Sequence, residues 1–180
     1  YTLFNLFMSV FFSFCSDNEV KVTCLQIPGY RGTTLKTYVI EPKESNGELP
    51  CLVYFHGGAF MLKASGSHYK IAKEYAKKLH CKVVYVDYRL APKHPFPIPT
   101  EDCYATYKWT LQNADILGID TDRIIIGGDS AGGNLATTVT LMARDRQLPL
   151  PVALLLIYPV TDRRMSTRSM QEYTDTPVWN

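Results

Sequence analysis

From about Val20 onward the chain alternates short apolar, β-branched runs with segments of helical periodicity, and few folds accommodate that alternation. Pro50–Phe55 is a continuous apolar run, as expected of a strand covered on both faces, and Val83–Val86, Ile124–Ile126 and Val152–Tyr158 read as further strands. Parallel strands joined by crossover helices account for this order, so the expected class is α/β, with a mostly parallel central sheet and helices on both faces. Val20–Ile27 and Thr34–Ile40, around the turn residues Pro28 to Gly32, read as a hairpin at a sheet edge, followed by a polar loop from Glu41 to Leu49.

The helical segments are legible in the same way. Ile71, Tyr75 and Leu79 recur at four-residue spacing with Ala72 and Ala76 beside them, while Lys70, Lys73, Lys77 and Lys78 mark a solvated face. Four prolines between Ala91 and Pro99 remove donors and fix φ, which predicts an ordered loop before a helix from about Thr100 to Asn113. A further helix is expected from Ser130 to Arg144, with Leu135, Val139 and Met142 on its apolar face.

Composition narrows the classes further. A chain of 180 residues, 46% apolar and 20% charged, suits one folded domain rather than disorder, collagen or coiled coil. Its 19 basic and 17 acidic side chains are interspersed and leave a net charge of +2, too weak a field to recruit nucleic acid or anionic lipid. Cys15, Cys24, Cys51, Cys81 and Cys103 show neither a C-x-x-C pair nor metal-ligand spacing with histidine, so buried free thiols are expected, and neither metal nor cofactor. That pattern points to the cytoplasm. Leu3–Phe14 is an apolar run read as a signal-peptide remnant or a buried helix; a remnant would make the protein secreted or membrane-associated. It falls short of the roughly 20 residues of a membrane span, and no Lys or Arg precedes it. Oligomeric state is left open.

The sharpest motif is Gly128-Asp129-Ser130-Ala131-Gly132, a G-x-S-x-G between the strand Ile124–Ile126 and the helix that follows. In that context it reads as a nucleophile elbow: flanking glycines let neighbouring backbone approach while the Ser130 hydroxyl projects above the sheet, and the helix N-terminus favours developing negative charge. The competing readings are an ordinary serine N-cap and a nucleotide-binding turn, but the spacing fits neither G-x-G-x-x-G nor the P-loop. Upstream, His56-Gly57-Gly58-Ala59-Phe60 directly follows the strand ending at Phe55. Acyl transfer to a serine builds an alkoxide, and small residues let backbone N–H groups turn toward it. The expected donors are the N–H groups of Gly58, Ala59 and Ala131, with His56, Gly57 and Asp129 supporting the loop. For His56 a loop-anchoring role is preferred to that of general base.

With HGGAF, YRLAPKHPFP and GDSAGG in this order, the chain resembles the hormone-sensitive-lipase-like family of α/β-hydrolases, over about Val20 to Asp162. The resemblance implies an α/β-hydrolase fold and a serine carboxylesterase acting on small, relatively apolar esters, with Ser130 as nucleophile and Gly58, Ala59 and Ala131 as oxyanion donors. It also implies that Arg89 is a structural ion-pair partner. Alternatives are a non-catalytic small-molecule-binding module and a peptidase of the same fold.

Two departures stand out. Ala59 occupies the family's third glycine, so its N–H is available only at negative φ or under strain. The triad on this fold runs Ser, then Asp or Glu, then His, yet His56, His68, His80 and His94 all precede Ser130. Asp145, Asp162 and Asp175 follow it, but the family's acid comes one strand later. Residues 19–180 are therefore expected to be the N-terminal part of a longer hydrolase whose acid and base lie elsewhere, with an exposed sheet edge. For residues 1–18 the resemblance implies a cap segment, and the apolar run itself a buried apolar helix.

Overall fold

The computed structural model describes residues 15–162, 164 and 166–175, and the apolar segment 3–14 lies outside them. Among the described residues six strands form one sheet: β1 (Val20–Pro28), β2 (Thr34–Pro42), β3 (Leu49–Phe55), β4 (Lys82–Val86), β5 (Ile119–Asp129) and β6 (Ala153–Ile157). Their spatial order is β1-β2-β4-β3-β5-β6. β1 and β2 make the expected hairpin at one edge, β2 runs antiparallel to β4, and β4, β3, β5 and β6 are parallel. The alternation of apolar runs and helices thus gives an α/β fold.

Period-two alternation divides the central strands between two cores. Cys51, Val53 and Phe55 of β3 join Val84 and Val86 of β4 on one face, and Leu52 and Tyr54 join Val83 and Tyr85 on the other. The second face is covered by α1 (Gly66–Lys78); the first by α2 (Ile98–Gln112) and, after the short α3 (Ala114–Leu117), by α4 (Ala131–Asp145). A last short helix, α5 (Arg168–Glu172), follows β6.

The buried stripe of α1 differs from expectation. Ile71 is 41% exposed and Leu79 61%, whereas Ala72 and Ala76 are fully buried. The sheet face beneath carries Tyr38, Tyr54 and Tyr85, so the volume is filled from the sheet side and the helix seats its smallest residues against it. Of the five cysteines, Cys51, Cys81 and Cys103 are buried free thiols as expected, but Cys15 and Cys24 are exposed.

Element ends move for identifiable reasons. β2 extends to Pro42, because β1 pairs with it over its whole length and Val20 lies opposite Pro42; β3 in turn begins at Leu49. The helix expected from Thr100 begins at Ile98, since a proline in the first helical turn replaces an N–H that would lack a partner anyway. β5 is longer than the Ile124–Ile126 run, extending from Ile119 to Asp129. Arg89 forms the expected ion pair, a two-pronged one with buried Asp102 (2.8 and 2.7 Å), and Asp102 also accepts the Tyr30 N–H, which fastens the hairpin turn to α2.

At the opposite edge, Leu154 and Leu156 of β6 are exposed, and Leu52, Ile125, Leu155 and Leu79 line an open apolar groove on the α1 side. Among the described residues no helix is long and apolar enough to cross a membrane.

Candidate active site

β5 ends at Asp129 and α4 begins at Ala131, so Ser130 alone turns the chain from strand to helix. It does so at φ 52°, ψ −116°, a conformation that costs an L-residue on the order of 1–3 kcal/mol and that surrounding contacts must hold in place. The Ser130 N–H donates to the Ile157 carbonyl (2.9 Å), and its own carbonyl accepts from the N–H groups of Val160 (3.1 Å) and Asn134 (3.3 Å). The Asn134 amide donates to the Val160 carbonyl (2.9 Å), closing the frame. Gly132 is required in the first turn of α4: a Cβ there would lie 2.0 Å from the Phe55 carbonyl oxygen.

The loop after β3 approaches the elbow from the other side. Gly58, Ala59 and Phe60 all have positive φ (124°, 51° and 60°). The bend is closed by N–H groups of Met61 and Leu62 donating to the Gly58 carbonyl (2.9 and 2.8 Å), and by Ala91 N–H donating to the Phe60 carbonyl (2.9 Å). A Cβ at Gly58 would stand 2.5 Å from the Leu62 carbonyl oxygen, so glycine is needed for space as well as for φ. Ala59 takes the strained option that the sequence left open.

These turns bring Gly58, Ala59 and Ser130 together along one cleft of about 400 Å³, with Tyr158, Pro159, Val160 and Met170 as apolar wall and Asp162 at the polar side. Ala131 is buried at the first helical position of α4, where backbone N–H groups have no intrahelical acceptor.

His56, Gly57 and Asp129 lie beneath. The Asp129 carboxylate accepts from the Gly57 N–H (3.0 Å) and the Tyr54 hydroxyl (2.8 Å) at Oδ1, and pairs with His68 Nε2 (3.2 Å) at Oδ2. Burial alone would raise the Asp129 carboxyl, but the hydrogen bonds from His68, Tyr54 and Gly57 outweigh it and hold the group below its ordinary value. Burial and the Asp129 charge push the Tyr54 phenol far above its own, so it remains the donor. The His68 tautomer follows from its partners: Ser65 N–H donates to Nδ1 (3.0 Å), which leaves the proton on Nε2, facing Asp129. His68 and Tyr54 are the residues that sequence reasoning missed. The one available signal was the Ser65-x-x-His68 spacing at a helix start, the spacing of a capping box.

His56 is fully buried, stacked on Tyr88 with ring centres 4.4 Å apart. Its Nδ1 faces the Gly57 carbonyl at 2.6 Å and must donate, while Nε2 is buried without a partner among the described residues. Tyr88 donates to the His56 carbonyl (2.7 Å). Burial lowers the His56 imidazole to about 4, so the ring is neutral and its single proton is committed to the loop. Among the described residues no group of three His, Cys, Asp or Glu side chains could hold a metal ion.

A strand–elbow–helix with a left-handed serine, facing a glycine loop from the neighbouring strand, defines the α/β-hydrolase class. The family profile described as "alpha/beta hydrolase fold" matches residues 52–180, and the chain belongs to that family. Its relatives include the carboxylesterase NlhH of Mycobacterium tuberculosis, 40% identical over 151 residues, 83% of this chain and 47% of the relative. Human hormone-sensitive lipase is 38% identical over 145 residues, 81% of this chain and 13% of the relative. The solved structure named "Bacterial Heroin Esterase" superposes with a TM-score of 0.89 at 35% identity, covering 99% of this chain and 57% of that one. The chain thus spans about half the length of the carboxylesterase and of the solved esterase it matches.

Two outcomes are expected from this geometry. Ala59→Gly relieves the left-handed strain against a smaller entropic loss and should raise stability by roughly 0.5–1 kcal/mol, read as a higher urea midpoint. Because folding lowers the His56 value from about 6.5 to about 4, its contribution is complete above pH 6.5 and is lost as the pH falls toward 4. The unfolding temperature of His56→Asn should therefore fall less steeply across that window than that of the unaltered protein.

Proposed function

We propose that the protein carrying this chain is a serine carboxylesterase acting on small, relatively apolar esters, a reading its carboxylesterase relative favours. The observation that carries it is Ser130, held at φ 52° at the head of α4 and opening on the same cleft as Gly58 and Ala59. Ser130 Oγ attacks the ester carbonyl, and the N–H groups of Gly58, Ala59 and Ala131 stabilise the oxyanion. Collapse expels the alcohol and leaves an acyl-serine, which water hydrolyses to the acid. His56 and His68 face Gly57 and Asp129, so neither offers a base to Ser130, and the family's chain order, with the histidine after the serine, favours a base other than His56, His68, His80 and His94, all of which precede Ser130. Tyr158, Pro159, Val160 and Met170 favour apolar acyl or alcohol groups, and the modest cleft favours short ones. The chemistry calls for no cofactor. The buried free thiols Cys51, Cys81 and Cys103 suit a reducing compartment and a cytoplasmic location.

The test is hydrolysis of p-nitrophenyl acetate by the whole protein, by its Ser130→Ala variant and by residues 1–180 alone. Ser130→Ala should lower turnover by at least about 10⁴-fold, and the 180 residues alone should retain no more than the roughly 10³–10⁴-fold acceleration over water that binding and oxyanion donors provide. Full turnover by Ser130→Ala would point to a non-catalytic role for this site. Parent-like turnover by residues 1–180 would show that the base is one of their own histidines.

A further inference from the structure

We propose that His68, in the first turn of α1, is a positioning residue for the oxyanion loop, acting through Asp129; this rests on the esterase reading above. Among the described residues Asp129 is the one side chain that accepts the Gly57 N–H, one residue before Gly58, and it does so with Oδ1 (3.0 Å). The direction of that grip depends on what holds Oδ2. The carboxylate side chain is only 10% exposed, so water replaces a lost partner poorly, and the Oδ2 partner is His68 Nε2 at 3.2 Å. His68 is itself fixed: Ser65 N–H donates to Nδ1 (3.0 Å), and the Ser65 hydroxyl lies 2.8 Å from the same nitrogen. A chain of hydrogen bonds therefore runs from the N-terminus of α1 through His68 to Asp129, whose carboxylate accepts from His68 on one side and from the peptide that opens the glycine loop on the other.

The catalytic consequence follows from where the loop acts. Oxyanion donors bind the charge that develops in the transition state and contribute little to the ground state, so a displaced loop lowers kcat and leaves KM unchanged. Displacements of the order of 1 Å are enough to cost up to about 10²-fold. The alternative is that His68 does no more than cap α1 through Ser65. Glutamate and glutamine separate the two roles, because both suit that position of a capping box but only glutamine carries an N–H to offer Asp129.

The experiment compares His68→Gln, His68→Glu and His68→Leu in the whole protein, with kcat and KM for p-nitrophenyl acetate and hydrogen–deuterium exchange of the peptide containing residues 56–62. His68→Gln is expected within about 3-fold of the parent in kcat. His68→Glu and His68→Leu should lose about 10- to 100-fold in kcat at unchanged KM, with faster exchange in the loop and unchanged exchange in α4. Equal kcat and equal loop exchange for the Gln and Glu variants would overturn the proposal and leave His68 as a helix cap. If the Glu variant fails to fold, the Gln and Leu variants decide the matter by the same criterion. Should Ser130→Ala prove fully active, the esterase reading fails separately, and loop exchange alone then reports whether His68 holds Asp129.

Discussion

The first turn of α4 lies so close to the last peptide of β3 that a single added methyl at Gly132 would stand 2.0 Å from the Phe55 carbonyl oxygen. That contact sets the rest of the site. It places the start of a helix, with its unpaired N–H groups, directly over the end of the central strand, and β5 must enter it through one residue. Ser130 makes the turn in that space at a positive φ of 52°. The next strand is recruited as a brace, since β6 and the segment after it supply the Ile157 carbonyl and the Val160 N–H that hold the serine peptide.

Strain is concentrated where two loops face each other across the cleft. Ser130 on one side, and Ala59 and Phe60 on the other, adopt conformations that an unconstrained chain avoids. Backbone hydrogen bonds hold these residues directly, and a layer of buried polar groups anchors the start of the glycine loop beneath them. His56 fastens the Gly57 carbonyl, Tyr88 the His56 carbonyl, and Asp129 the Gly57 N–H. Each of these groups is buried, so breaking a link leaves a polar atom without water and not merely one fewer contact. Such anchoring suits the preorganised backbone donors that the proposed chemistry needs.

Sequence alone exposed the parts of this arrangement that are local. The apolar runs at Pro50–Phe55 and Val83–Val86 had to be strands, and G-D-S-A-G between a strand and a helix had to be a tight turn. Glycine at 57, 58, 128 and 132 showed where backbones would meet. What stayed hidden depends on distance or on competition between faces. His68 and Asp129 are 61 residues apart, and nothing near either of them names the other. Along α1 the larger residues Ile71 and Leu79 suggested a buried stripe, but the tyrosines of the sheet had already filled that space and Ala72 and Ala76 took the contact. Ala59 was recognisable as a departure from glycine, yet its positive φ could only be seen in three dimensions.

The proposed chemistry requires the Ser130 hydroxyl and the three backbone N–H groups to converge on one reacting carbonyl. A crystal structure of the whole protein after reaction with a small alkyl fluorophosphonate tests it most directly, because the phosphonyl oxygen stands where the oxyanion would. A covalent bond to Ser130 Oγ is expected, with that oxygen about 2.7–3.1 Å from the nitrogens of Gly58, Ala59 and Ala131. A phosphonyl group on another residue, or one whose oxygen points away from the Gly58–Ala59 loop, would contradict it.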